Sequence, residues 1–155
     1  MERTVHMIRE SSITDGTCGS SLLQIAHCFE PLQWVTLTFA AERVGIEITG
    51  SDTTIREAGT VHYDNAPEWA RSWESFCRFA LPLEGCRNAV FDGTSYTHSV
   101  LEHGRETSVK WHSPSWLKNP LQMTVIRGYM ELAETAGLRR LLQLWRSPGR
   151  AAMHW

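Results

Sequence analysis

No apolar run in this sequence approaches the roughly 20 residues that a membrane-spanning helix needs. Its first residues, Met1-Glu2-Arg3-Thr4, lack the basic and then apolar order of a signal peptide. Cysteine is scarce and unpatterned. Cys18, Cys28, Cys77 and Cys86 form no Cys-x-x-Cys pair and no zinc-like spacing, so neither a disulfide framework nor a structural zinc is implied. Cys28 and Cys77 lie in apolar segments and read as buried free thiols. Excess charge is slight as well: a formal net charge of −2 and a pI near 6.4 argue against the broad electropositive surface that nucleic-acid backbones demand. Missing too are a phosphate-cradling glycine loop, Gly-x-Ser-x-Gly and His-Glu-x-x-His. The expectation is a cytoplasmic protein without a cofactor, with membranes and nucleic acids set aside as partners.

What is present is 155 residues, enough for one domain that buries a core without staples. Seven tryptophans stand out, and so many large amphipathic rings leave room for one or two in an interface. The clearest structural signal lies in residues 87–113, which read as a strand and then a tight hairpin. If His103-Gly104 is a two-residue turn, with Gly104 supplying positive φ, Glu102 faces Arg105 and the register follows by counting back. Val100 then pairs with Thr107, His98 with Val109 and Tyr96 with Trp111 on a largely apolar face. Ser99 against Ser108, Thr97 against Lys110 and Leu101 against Glu106 make the face that meets water. Val35, Leu37 and Phe39 alternate with Trp34, Thr36 and Thr38, and Val44, Ile46 and Ile48 alternate again, which predicts a second antiparallel pair with Phe39 opposite Val44.

Other elements follow from period and punctuation. Leu22, Ile25, Ala26 and Phe29 recur at helical spacing and Pro31 stops them, predicting a short helix over 20–29. Gly-Thr-Cys-Gly-Ser-Ser at 16–21 reads as a plain loop before it. A strand is expected over Thr53 to Tyr63. Asn65-Ala-Pro-Glu68 resembles a capped helix start, opening a helix to about Leu81 with Trp69, Trp73, Phe76 and Ala80 on one face. A strand from Asn88 to Asp92 precedes the hairpin. Asn119-Pro120 opens a last helix with the stripe Leu121, Val125, Gly128, Tyr129, Leu132 and Ala136; Gly137 ends it before Leu138, Leu141, Leu142 and Trp145 resume one. The whole is one α+β domain over 1–155, an antiparallel sheet of about five to six strands with helices packed on one face. Residues 1–18 form an undefined N-terminal segment and 148–155 a loose tail.

Three constellations bear on chemistry. Asp92 with Tyr96 and His98 is a local acid, phenol and imidazole cluster, usable for general acid/base catalysis in a small hydrolase-like enzyme. The simpler reading is a turn aspartate beside core residues, with His98 a hydrogen-bonded structural histidine among aromatic neighbours. His62 and Asp64 share one side of a strand and could ligate a metal, but two ligands do not make a site. Trp111, His112 and Trp116 stand where a strand ends in a Pro- and Trp-bearing loop, which suits either a binding surface or a cover over the end of the core. Glu131, Glu134 and Arg139 read as a solvated helix face.

The aromatic helix Trp69 to Phe79, Asp92-Gly93 with Tyr96, the Gly104 turn, Trp111 with Pro114 and the Leu/Ala-rich terminal helix together resemble small α+β immunity proteins of bacterial polymorphic-toxin systems, over about half of the chain. The resemblance implies a protein that binds a toxin domain and blocks it without turnover; it transfers no binding residue. The functional expectation is thus a non-catalytic domain that occludes a partner protein through Trp111, His112 and Trp116. Two alternatives stand beside it: an enzyme using Asp92, Tyr96 and His98 or a metal at His62 and Asp64, and a homo-oligomer that uses its tryptophans on itself.

Overall fold

A computed structural model describes residues 17–27, 31–51, 56–89 and 93–138. Expectations placed on Asp92, Cys28, Arg139, the resumed helix after Leu138 and both termini lie outside them. Among the described residues seven strands form one sheet. They are β1 (Gly19–His27), β2 (Gln33–Phe39), β3 (Arg43–Gly50), β4 (Arg56–His62), β5 (Cys86–Arg87), β6 (Thr94–Glu102) and β7 (Arg105–His112), in the spatial order β4-β3-β2-β1-β6-β7-β5. Two helices, α1 (Trp73–Ala80) and α2 (Pro120–Thr135), complete an α+β fold.

Both hairpins take the register that their alternation dictates. Phe39 pairs with Val44, Leu37 with Ile46 and Val35 with Ile48; Glu102 pairs with Arg105, His98 with Val109 and Tyr96 with Trp111. His103 and Gly104 both have positive φ, 51° and 76°, the turn whose own twist matches that of the strands it joins. One sheet face is therefore apolar across strands. Leu23, Ile25, Val35, Leu37, Phe39, Val44, Ile46, Ile48, Tyr96, Val100 and Trp111 are buried in one cluster with Phe76 and Ala80 of α1 and Met123, Ile126, Tyr129 and Ala133 of α2. The helices thus lie on one face.

Four expectations are corrected. The helix expected over 20–29 is strand as far as it is described: residues 19–27 form β1, paired with β2 on one side and β6 on the other. Leu22 and Leu23 are both fully buried although they point to opposite faces, and a strand covered on both faces loses the alternation that would distinguish it from a helix. The loop expected at 16–21 accordingly becomes strand from Gly19. Among the described residues the sheet has seven strands rather than five or six and is mixed, since β5 pairs parallel to β7; of the strand expected from Asn88 to Asp92, the described residues Asn88 and Ala89 are not strand. Finally, the helix expected from Asn65 divides into two 3-10 turns, Tyr63–Asn65 and Glu68–Ala70, before α1. The cap of α1 is Ser72, whose Oγ accepts the Ser75 N–H at 3.0 Å, whereas His62 Nδ1 accepts from the Asp64 N–H and caps the first turn.

The face expected to meet water is not uniformly wet. Thr97, Ser99 and Leu101 of β6 are buried, and Leu22, Trp34 and Leu101 form a second, smaller apolar cluster with Leu32 against it. On β7 the same face stays open, with Ser108 and Lys110 exposed.

Glycine at 128 decides how closely α2 approaches its neighbours. A Cβ there would stand 2.2 Å from Trp69 Cζ2, and the Trp69 indole is itself stacked on Phe79 at 5.0 Å and tilted against Phe76 at 5.9 Å. Alanine in a helix interior gains about 1 kcal/mol over glycine, but forcing atoms into a packed core costs about 1–3 kcal/mol or more. Gly128→Ala is therefore expected to destabilise the protein by about 1–2 kcal/mol, read as a lowered urea midpoint at unchanged slope. A variant as stable as the parent or more so would mean that Trp69 does not occupy this seat.

Candidate functional site

Of the catalytic candidates the structure describes two, and both Tyr96 and His98 are buried in the core. His98 stacks on Trp111 with ring centroids 5.1 Å apart and meets Tyr129 edge-on at 5.6 Å. The Tyr129 hydroxyl bridges His98 Nε2, at 2.9 Å, and Ser21 Oγ, at 2.6 Å. Burial lowers the His98 pKa to about 3 and raises that of the Tyr129 phenol, an effect the Ser21 hydrogen bond partly offsets. Both groups are thus held neutral around pH 7, and the arrangement is a buried hydrogen-bonded relay joining β1, β6 and α2.

The metal candidates remain a pair. His62 Nδ1 lies 3.4 Å from Asp64 Oδ2 on the exposed side of the first 3-10 turn. Among the described residues no third His, Cys, Asp or Glu stands near enough to complete a ligand set. Cys18, Cys77 and Cys86 are free thiols, and burial pushes the Cys77 thiol up to about 12 and the Cys86 thiol upward.

The binding candidates separate from one another. Trp111 is fully buried, and its indole N–H donates to the Glu84 carbonyl at 2.9 Å; it belongs to the core, and no partner can reach it. His112 points to the opposite sheet face, as the alternation requires, and its Nδ1 lies 2.5 Å from Ser95 Oγ. Trp116 lies on the connection between β7 and α2, 38% exposed, with the Arg127 guanidinium 5.9 Å over its ring. Beside it Leu117 is 91% exposed and Leu121, placed by its spacing in the buried stripe, is 50% exposed.

This connection is firmly held. Asn119 Oδ1 accepts from Asn88 Nδ2 at 2.8 Å and from the Ser115 N–H at 3.3 Å, while Ser115 Oγ accepts the Lys118 N–H at 3.1 Å. Asn88 also donates to the Ser113 carbonyl at 2.8 Å. Asn119 precedes α2 as expected, but its side chain serves the loop and makes no capping bond to the helix. Trp116 and Leu117 are thereby displayed on a hydrogen-bonded turn, with Leu121 exposed beside them in the first turn of α2, the preorganisation that contact surfaces use.

Sequence reasoning missed Leu121 because an apolar residue in a helix stripe reads as core, and Leu117 because it falls in no periodic element. It also missed Ser95, which one further step of the hairpin register places opposite His112. Family models, curated proteins and solved structures offer no match to this chain.

Proposed function

We propose that this protein is a non-catalytic binding domain that occludes a partner protein, and that Trp116, Leu117 and Leu121 are its contact. The observation that carries this reading is the display of these three exposed apolar side chains within six residues of a hydrogen-bonded connection. A tryptophan ring under an arginine is the composition of interface hot spots, and the two leucines extend the apolar area around it. The burial of Tyr96 and His98 weighs against an enzyme built on them. The resemblance to immunity proteins supports a toxin domain as the partner, neutralised by steric cover.

The test compares tagged parent protein with a Leu117→Asp variant, each used to capture partners from the native host at moderate salt. The expected outcome is one stoichiometric partner, retained at least about tenfold less by the variant, with the variant's stability within about 0.5 kcal/mol of the parent's. Equal retention, or no partner at all, would overturn the proposal. Light scattering that finds a dimer dispersed by the same substitution would instead assign the patch to a second copy of the chain.

A further inference from the structure

On the sheet face away from the helices, at the β5 edge, a cleft of about 550 Å³ is lined among the described residues by Gly85, Cys86, Arg87, Ser95, Lys110 and His112. We propose that it binds the phosphomonoester group of a small molecule. Its polar side chains converge because of the sheet register. Arg87 of β5 and Ser95 of β6 are both cross-strand partners of His112 on β7, so the three stand in one row on one face, and Lys110, two residues before His112, shares that face. β5 comes close at this point: a Cβ on Gly85 would lie 3.0 Å from the Lys110 carbonyl oxygen.

Charge identifies the ligand class. The described lining carries two permanent cations, Arg87 and Lys110, and no carboxylate. Among the described residues neither cation takes part in an ion pair. Two cations at one cleft repel unless an anion joins them. Arginine offers a planar fork suited to phosphate oxygens and lysine a point charge. The 2.5 Å contact between Ser95 Oγ and His112 Nδ1 holds a hydroxyl and an imidazole in place beside them. Two cations match a phosphomonoester dianion better than a single carboxylate. The volume falls in the range of small-molecule sites, larger than a bare phosphate fills, so the ligand carries an organic body as well.

Ser95 and His112 also have the look of a nucleophile and its base. Among the described residues no carboxylate orients the imidazole through its other nitrogen, which is the third member such a pair needs. The geometry therefore supports binding rather than turnover. The cleft is separate from the Trp116 surface, so either assignment stands without the other.

Titration calorimetry of the full chain with inorganic phosphate, ribose 5-phosphate, ribose and malonate tests the site. Ribose 5-phosphate is expected to bind more tightly than inorganic phosphate, ribose not at all, and malonate at least about tenfold more weakly than ribose 5-phosphate. Arg87→Gln and Lys110→Gln, both at exposed positions, should each weaken ribose 5-phosphate at least about tenfold while leaving the thermal midpoint of the free protein unchanged. In the unsubstituted protein, ribose 5-phosphate should shift the backbone amide resonances of Ser95, Lys110 and His112, a readout that does not depend on how the variants fold. Absence of phosphate binding, equal binding of malonate, or resonance shifts confined to other regions would each overturn the proposal.

Discussion

Lowering the pH from 7 to 4 is expected to remove about 3 kcal/mol of stability through His98 alone. Burial depresses this imidazole to about 3 in the folded protein, whereas an unfolded histidine titrates near 6.5. A depressed folded value means that the unfolded chain takes up the proton first. The stabilisation is therefore fully present above about pH 6.5 and is lost as the pH falls toward 3, at about 1.4 kcal/mol per unit. Against a total of about 5–15 kcal/mol for a domain of this size, that loss is large. The cause is structural: His98 lies between Trp111 and Tyr129, and its Nε2 is committed to a phenol that also serves Ser21. Carboxylates titrate over the same interval, so the measurement is a difference between urea unfolding of the parent and of His98→Gln at pH 7, 6, 5 and 4. The parent should lose about one proton's worth of slope more than the variant between pH 6 and 4. Parallel curves would refute a neutral, enclosed His98.

Trp111→Ala is expected to destabilise the protein by about 3–5 kcal/mol, enough to leave a domain of ordinary stability partly unfolded at 37 °C. The indole is fully buried, forms one wall of the His98 site, and donates to the Glu84 carbonyl, which also accepts from Gln122. Truncation leaves a large cavity and takes away one of the bonds that hold the segment leading into β5. Trp111→Phe should cost less, because a ring still packs against His98. Trp116→Ala, by contrast, should change stability by no more than about 0.5 kcal/mol. Thermal unfolding of the three variants decides the matter, and a Trp111→Ala protein as stable as Trp116→Ala would show that the two tryptophans had been assigned the wrong roles.

These two residues show how far local pattern reaches. Both are tryptophans near the end of one strand, and both suit a contact surface by type. Counting along the hairpin puts Trp111 beside Tyr96 on the apolar face, but whether that face is covered at the strand's end depends on α2 and on Glu84, which lie outside the hairpin. Trp116 has no register at all, and its exposure follows from how Asn88, Ser115 and Asn119 tie the connection. The buried role of His98 was legible because the hairpin sets it between Tyr96 and Val100 on the apolar face, whereas its hydrogen-bond partner Tyr129 comes from α2 and was not.

By itself the sequence determined what adjacent residues decide together. Alternation and a positive-φ turn set the registers of β2 with β3 and of β6 with β7, and Pro120 and Gly137 mark the ends of α2, the latter at φ 81°. Tertiary structure alone decided that residues 19–27 are the central strand rather than a helix, since Leu22 and Leu23 are both buried and no alternation survives. It also decided that Cys86 and Arg87 join β7 in parallel, bringing Arg87 to Ser95, Lys110 and His112. Pairing within a hairpin is fixed by the turn between its strands, whereas strand order and the covering of a face are settled by contacts between distant segments, which leave no period in the chain.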